Sequence, residues 1–368
     1  MKRRTFLGIA GGLIGVAIIG GGLYWYMTRT KVPEVKTLRL FTWEEETLDE
    51  FLDPFRDAYP NVDLKIGIYG DQDEMITRLR AGYKADVIAP CTDKIPVLRE
   101  LELIQPIDVS KLEYWDDMFE SFKNAPMVKI NGDIWFVPTN YGTEGITYRT
   151  DMIEREITSW ADLFDPEFEG KILMADDPFY GIAIAALILG FDLDPDNDGM
   201  WELTEEQLQE CKELLIQQKP LVLKYSDEVD VELPQLMAAG EVWISIGWAP
   251  ETLELLDEGV PVKYVLPEEG ALVFVCGNAI VKGTEEEDLA HALVDNYLAP
   301  HSQRFFAEEY WYGITNEAVV EELAAEDPDL VENLLLDKPE EALAIGHFEY
   351  PIENYDRWEE IWNEVKLA

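Results

Sequence analysis

TSWADLFDPEFEGKILMADD, residues 158–177, places a helical turn, a strand and a helix start in direct succession. Ser159 is suited to cap a short turn whose apolar members are Trp160, Leu163 and Phe164, because its hydroxyl accepts from the free N–H groups of a first turn. Asp165-Pro166 breaks that turn, since proline disfavours helix at the residue before it, and Gly170 permits a tight exit. Lys171–Met174 reads as a short buried strand. Asp176-Asp177-Pro178 ends the strand and opens a helix, with Asp177 at the N-cap and Pro178 at the first helical position. A strand that delivers a carboxylate to a helix N-terminus lines a cleft in open α/β folds.

Upstream, strand and helix patterns alternate. Leu38–Phe41 is a short apolar strand, and Glu45–Tyr59 an amphipathic helix with Leu48, Phe51, Leu52 and Phe55 at helical spacing. Val62–Tyr69 alternates as a strand, Asp73–Ala81 reads as helix, Ala85–Pro90 as strand and Lys94–Leu101 as helix. The alternation predicts a doubly wound α/β unit. Asp133–Pro138 and Tyr141–Tyr148 read as a crossover to a second unit, which holds the opening segment, Glu205–Gln218 and Gly240–Leu256, and Ala271–Val281 crosses back. The last fifty residues read as helical, with Trp358 and Trp362 on one stripe.

The opening segment, S-W-A-D-L-x-x-P-E-x-x-G followed by a short strand and D-D, resembles the extracytoplasmic solute-binding proteins of ABC importers, in particular the spermidine/putrescine-binding group. Other pieces match in order: Leu40-Phe41-Thr42-Trp43, Ala85–Pro90, Val137-Pro138 before Gly142-Thr143-Glu144-Gly145, Gly240-Glu241-Val242 leading to Gly247-Trp248, Pro267-Glu268-Glu269-Gly270, and Tyr312-Gly313-Ile314-Thr315-Asn316. The resemblance runs from about Leu38 to the C-terminus and implies a two-lobed, type II-like periplasmic-binding-protein fold with the ligand between the lobes. Residues 37–139 with 275–312 would form one lobe, and 140–274 with 313–368 the other. It also implies a permease and an ATPase as partners, no cofactor, no catalysis and a monomer.

Length and composition agree with two sizeable cores. The chain has 368 residues, 47% of them hydrophobic, which excludes disorder despite the charge. The formal net charge is −46, which leaves no basic patch to neutralise phosphates and excludes nucleic acid as a partner. So large a charge destabilises a compact chain at low salt, whereas at molar salt the Debye length is only ~3 Å and the repulsion vanishes. A halophilic protein is therefore expected, with an ordinary acidic surface as the bland alternative.

Met1-Lys2-Arg3-Arg4-Thr5-Phe6-Leu7 resembles a twin-arginine export signal, and Leu7–Met27 is uncharged and long enough to span a bilayer. Tyr24-Trp25-Tyr26 suits a membrane interface. Residues 1–30 are read as an uncleaved anchor or, alternatively, a cleaved signal, and 31–36 as a tether, with the body exported. The three cysteines, Cys91, Cys211 and Cys276, cannot form a full disulfide framework. Cys211 falls on the buried side of a helix pattern. Cys91 and Cys276 end apolar runs and read as buried small residues, or as a pair or a soft-metal site if both face one cleft.

In the resembled family aromatic rings hold the ligand's methylene chain and carboxylates hold its ammonium groups. A desolvated cation–ring contact is worth ~0.5–2 kcal/mol, and a charge-assisted hydrogen bond ~1.5–3 kcal/mol. By that resemblance Trp43, Trp248 and Tyr312 match aromatic ligand residues, Phe274 keeps an aromatic where the family has tryptophan, and Asp177 matches an acid at the helix opening. Two acids are replaced, by Tyr180 and Cys276. Cys91 stands for a serine and Asp93 for a tyrosine, while Glu44, Glu45 and Glu46 follow Trp43 where the family has threonine and tyrosine. The acids have moved across the cleft, or the ligand differs: another amine, or a metal ion. Each residue also has a structural reading. Asp177 caps a helix, the tryptophans pack in a core, at least one ring of Tyr310-Trp311-Tyr312 is core, and the glutamates form a solvated helix start.

Asp194-Pro195-Asp196-Asn197-Asp198-Gly199-Met200-Trp201-Glu202-Leu203-Thr204-Glu205 fits a Ca²⁺ loop, with Asp194, Asp196, Asp198, the Met200 carbonyl and Glu205 as ligands of a structural ion. The competing reading is a helix capping box of Thr204 with Gln207. His291, His301 and His347 lack metal spacing, and no nucleophile elbow or phosphate loop is present, which argues against an enzyme. A non-transport cell-surface binding protein is the remaining alternative.

Overall fold

The computed structural model describes residues 35–368 apart from 126, 197–198, 335, 337–338 and 340–345. The basic N-terminus, the apolar segment and most of the tether lie outside the described residues, as does Asp198. Among the described residues no helix is long and apolar enough to cross a membrane.

Fourteen strands are described: β1 (Lys36–Thr42), β2 (Val62–Ile68), β3 (Val87–Ile88), β4 (Ile104–Gln105), β5 (Lys129–Ile130), β6 (Asp133–Ile134), β7 (Val137–Arg149), β8 (Ile172–Ala175), β9 (Val222–Ser226), β10 (Ile244–Trp248), β11 (Val262–Val265), β12 (Leu272–Val281), β13 (Gly313–Ile314) and β14 (His347–Phe348). Apart from the β5–β6 hairpin they form one sheet whose main path is β2-β1-β3-β12-β7-β10-β8-β9. Its two ends share one plan. β1 runs parallel to β2 and β3, with β12 antiparallel at β3. β8 runs parallel to β9 and β10, with β7 antiparallel at β10. Each parallel triplet is a doubly wound α/β unit, and the antiparallel pair β7–β12 joins the two.

The opening segment folds largely as its residues dictate. Ser159 and Asp162 form a capping box on the 3₁₀ turn Trp160–Phe164, whose Trp160 and Leu163 are fully buried. Asp165 does more than break this turn: its carboxylate accepts from Glu167 N–H and starts a second turn, Pro166–Phe168. Gly170, at φ 70°, makes the exit. Asp177 then caps the helix Pro178–Ile188 by accepting from Phe179 N–H at 2.8 Å. Upstream, the expected single helix from Glu45 is a 3₁₀ turn, Glu45–Thr47, and a helix, Asp49–Ala58, separated by extended Leu48.

The C-terminal segment divides its contacts. Phe119 N–H donates to Thr315 O and Glu317 N–H to Asp117 O, which tie residues 315–317 to the β1–β3 half. The last helix, Tyr355–Leu367, docks on the other half: Trp362 Nε1 and Lys366 Nζ both reach Asp176 Oδ1, at 2.8 and 2.7 Å. Gly181 makes this fit, because a Cβ there would lie 2.3 Å from the Trp362 ring. Trp358 and Trp362 are both buried, on one stripe as expected.

Candidate functional site

A cavity of about 260 Å³ lies where the ends of β1, β3 and β10 face the crossover pair. Its rings are Trp43, Tyr180, Trp248, Phe274, Phe306 and Tyr312, its acids Glu45, Glu46, Glu144 and Glu349, and Gln72, Asn140, Cys91 and Cys276 complete the wall. No lysine or arginine lines it.

Each ring is held by a neighbour. Trp43 Nε1 donates to Ala89 O at 2.9 Å and meets Tyr69 edge-on, with centroids 4.7 Å apart. Trp248, the last residue of β10, donates from Nε1 to Glu144 Oε1 at 2.7 Å and takes Tyr180 edge-on at 5.9 Å. Phe274 stands edge-on to Tyr312 at 5.9 Å. It lies flat against β7 because Gly142 has no side chain: a Cβ there would sit 2.3 Å from its ring. The Gly142-Thr143-Glu144-Gly145 motif thus carries one acid between two residues that leave room for rings. Tyr310, Trp311 and Tyr312 are all half-buried, so none is the core ring expected of that run.

Glu46 and Glu144 are buried and Glu45 and Glu349 half-buried, and among the described residues no lysine or arginine lines the cavity with them. Glu46 accepts from Thr42 Oγ1, yet burial pushes its carboxyl up to about 8, helped by the charge of Glu45. Glu144 is fully buried; desolvation raises it to about 8 against the Trp248 hydrogen bond, and its Oε2 has no partner. Glu349, just after β14, is raised well above the ordinary carboxylate range by burial and then by the charges of Glu144, Asp93 and Asp177. Its Oε1 is sealed from water and has no partner. An unpaired buried carboxylate costs several kcal/mol in general, so such an array is suited to receive positive charge.

The residues singled out from sequence fall into three groups. Trp43, Glu46, Cys91, Tyr180, Trp248, Phe274, Cys276 and Tyr312 meet at the cavity. Asp93 and Asp177 lie behind its wall, and their charges act on Tyr180 and Glu349. Asp93 is bonded to Gln72 at 3.1 Å and paired with Lys94 at 3.3 Å. Burial raises the carboxyl groups of both Asp93 and Asp177. Glu44 is exposed, precedes the 3₁₀ turn and does not line this cavity, whose acids from this segment are Glu45 and Glu46. Cys91 and Cys276 are joined in a disulfide, which removes both thiolates from ligand or soft-metal chemistry. Cys211 is free and buried.

The candidate Ca²⁺ loop is only partly described, because Asp198 lies outside the described residues, and one of its expected ligands is engaged elsewhere. Both oxygens of Glu205 are held by Arg357, at 2.6 and 2.9 Å, and Gln209 adds a third bond. Arg357 holds this carboxyl down at about 2. Thr204 and Gln207 make the expected reciprocal capping box on Glu205–Gln218. Trp201 is buried and pairs with Ile352. Among the described residues no group of three His, Cys, Asp or Glu is placed to hold a metal ion.

Sequence reasoning missed Glu144 as a site residue, and missed Glu349 altogether. Glu144 carries a signal, a lone charge between glycines in an otherwise uncharged run, Val137–Tyr148. Glu349 carries none that separates it from the other acids of the C-terminal segment.

A family model described as bacterial extracellular solute-binding protein matches residues 50–332. The spermidine/putrescine-binding periplasmic protein 1 of Haemophilus influenzae is 24% identical over 339 residues, covering 90% of this chain and 89% of its own. The spermidine/putrescine-binding periplasmic protein of Escherichia coli is 25% identical over 316 residues, covering 84% and 86%. Among solved structures, the spermidine/putrescine ABC transporter substrate-binding protein of Streptococcus pneumoniae, in complex with calcium and HEPES, superposes with a TM-score of 0.77 at 20% identity, covering 90% of this chain and 99% of that one.

Proposed function

The chain belongs to the bacterial extracellular solute-binding proteins, and from that premise we propose that it captures a small organic cation with more than one ammonium group, a polyamine such as spermidine or putrescine, for an ABC importer. It is a binding component with no catalytic role. The observation that carries the ligand class is the cavity wall: six aromatic rings, several of them packed edge-on, four acids and, among the described residues, no base. Rings accept the methylene chain and face its cations. Carboxylates accept charge-assisted hydrogen bonds from the ammonium groups. The residues we assign to ligand contact are Trp43, Glu45, Glu46, Glu144, Tyr180, Trp248, Phe274, Tyr312 and Glu349, with Asp93 and Asp177 supplying field from behind. A metal ion as solute is disfavoured, because the two cysteines are spent on each other.

The two units of the sheet are proposed to be the lobes, 37–139 with 275–312 and 140–274 with 313–368, hinged at β7 and β12. The contacts of residues 315–317 with 117–119 favour moving that short piece to the first lobe. The body lies outside the cytoplasm; the N-terminal segment is proposed as its anchor, the protein as a monomer, and permease and ATPase subunits as its partners.

Titration calorimetry with spermidine, putrescine, arginine and glycine betaine at high salt tests the function. Heat and quenched tryptophan fluorescence with the polyamines are expected; silence up to millimolar polyamine would overturn the assignment.

The same titration has a predicted pH dependence. The carboxyls of Glu46 and Glu144 titrate near 8 in the empty fold against 4.5 in an unfolded chain. Their contribution to stability is thus fully present below pH 4.5 and is lost as pH rises through 8. A bound cation reverses that balance and expels their protons. Between roughly pH 6 and 8 affinity should rise about tenfold or more, a gain of at least ~1.4 kcal/mol. Calorimetry in buffers of different ionisation enthalpy should register proton release; uptake, or no exchange, contradicts it.

The acidity is proposed as an adaptation to brine. The melting temperature should rise between about 0.1 and 3 M KCl as screening removes self-repulsion, and a flat or falling series refutes the adaptation.

A further inference from the structure

We propose that Glu144 and Glu349 together receive one ammonium group of the ligand, a pair that takes over from the acids absent at Tyr180 and Cys276. This rests on the cation-binding function above and identifies which side chains set its affinity.

The two carboxylates reach the cavity from different parts of the fold. Glu144 stands in the middle of β7, in register with Trp248 on one side and Leu272 on the other. Glu349 follows β14, and its N–H donates to Val273 O, so β12 fixes it from the opposite edge. Each line of the cavity wall thus supplies one acid. Each acid also keeps one buried oxygen with no hydrogen-bond partner, Glu144 Oε2 and Glu349 Oε1. Trp248 Nε1 uses the other oxygen of Glu144 and thereby orients it. Two acceptors left open in one cavity that no described lysine or arginine lines make an incomplete polar site, and an ammonium group, which has only donors, completes it.

The groups around the pair do not supply that donor. Glu251 lies beyond Glu144, Tyr180 and Tyr264 stand beside it, and Asp93 and Asp177 act on Glu349 from behind. The nearby cation is Lys94, which is already bonded to Asp93 and Asp73. In the empty cleft the mutual repulsion of the pair is relieved by protons. On binding, those protons go to solvent and the ligand, which arrives already protonated, keeps its own.

The position also fits the substitution pattern. Where the resemblance implies an acid on β12 this chain has Cys276, and Glu349 follows β14, which pairs with the same strand at Leu272 and Val273.

The test is calorimetry with spermidine and putrescine on Glu144→Gln, Glu349→Gln and the double variant. Glutamine keeps an acceptor for Trp248 and removes the charge. Each single change is expected to weaken binding by about tenfold to a hundredfold. The double variant should lose clearly less than the product of the two losses, because both act on one ammonium group. All three should melt at or above the wild-type temperature, since a buried carboxyl group has been made permanently neutral. Wild-type binding with both single variants within about twofold of it overturns the pair. Strictly multiplicative losses overturn the shared-ammonium assignment. Failure of the wild-type protein to bind either amine overturns the proposed function itself.

Discussion

Replacing both Cys91 and Cys276 by alanine should lower the unfolding free energy by about 5 kcal/mol, a large part of what a domain ordinarily has. The cross-link spans a sequence separation of 185 residues. A closed loop of that length removes much of the unfolded chain's freedom, and the cost of closure grows with the logarithm of loop length. The bond joins the loop after β3 to the point where β12 changes register between Cys276 and Gly277, so it ties the first parallel triplet to the crossover strand. Guanidinium unfolding at fixed salt, with and without a reductant, measures the effect. The reduced wild-type protein and the double alanine variant should share one lowered midpoint, since Cys211 is free in either state. A midpoint indifferent to reductant would mean that the unfolded chain gains nothing from the bond's removal.

Trp248→Ala should weaken spermidine binding roughly a hundredfold, about 3 kcal/mol, through two losses that have one source. The ring leaves the cavity wall, and with it goes a cation–ring contact. The indole N–H also leaves Glu144 Oε1, so a fully buried carboxylate loses its oriented donor. Trp248→Phe separates the two, keeping a ring and discarding the N–H, and should fall between alanine and wild type. The phenylalanine variant matching wild type would assign the whole effect to the ring. An alanine variant binding as well as wild type would place the ligand elsewhere.

The parts of the fold that can be read from residues are those whose cause is local. Ser159, Asp177 and Thr204 are identifiable as caps because a cap is a relation between residues two or three apart. The alternation of patterns gives away the first parallel triplet for a similar reason, whereas β9 of the second has no comparable signal. The long-range features are not so readable. Nothing near Cys91 says that Cys276 is its partner, since the pairing exists only once β3 and β12 lie side by side. Glu44, Glu45 and Glu46 are equivalent in composition, and only the 3₁₀ turn separates the exposed first from the buried third. The spacing of Asp194 to Glu205 suggests a metal, but the partner of Glu205 is Arg357, 152 residues away. The rings singled out by resemblance line one cavity, as does Glu46, while Glu144 on β7 and Glu349 beside β14 join that wall from positions that the resemblance does not mark for the ligand.

The place of Glu144 in the sheet separates two kinetic quantities. At this residue β7 is paired on both edges, by β10 on one and β12 on the other, and just beyond it β11 replaces β12. A side chain rooted at such a junction stands on backbone that is laddered to a neighbouring strand on both sides. Tyr310 and Tyr312, by contrast, come after the end of the helix Pro300–Glu309 and flank Trp311, a non-glycine residue at φ 52°. A solute anchored at Glu144 therefore sits on the doubly paired strand between the two units, while Tyr312, at a chain reversal, lines the same cavity. Strength of attachment and residence time are then set at different addresses, and substitutions at the reversal can shorten the stay without touching the charge that holds the solute.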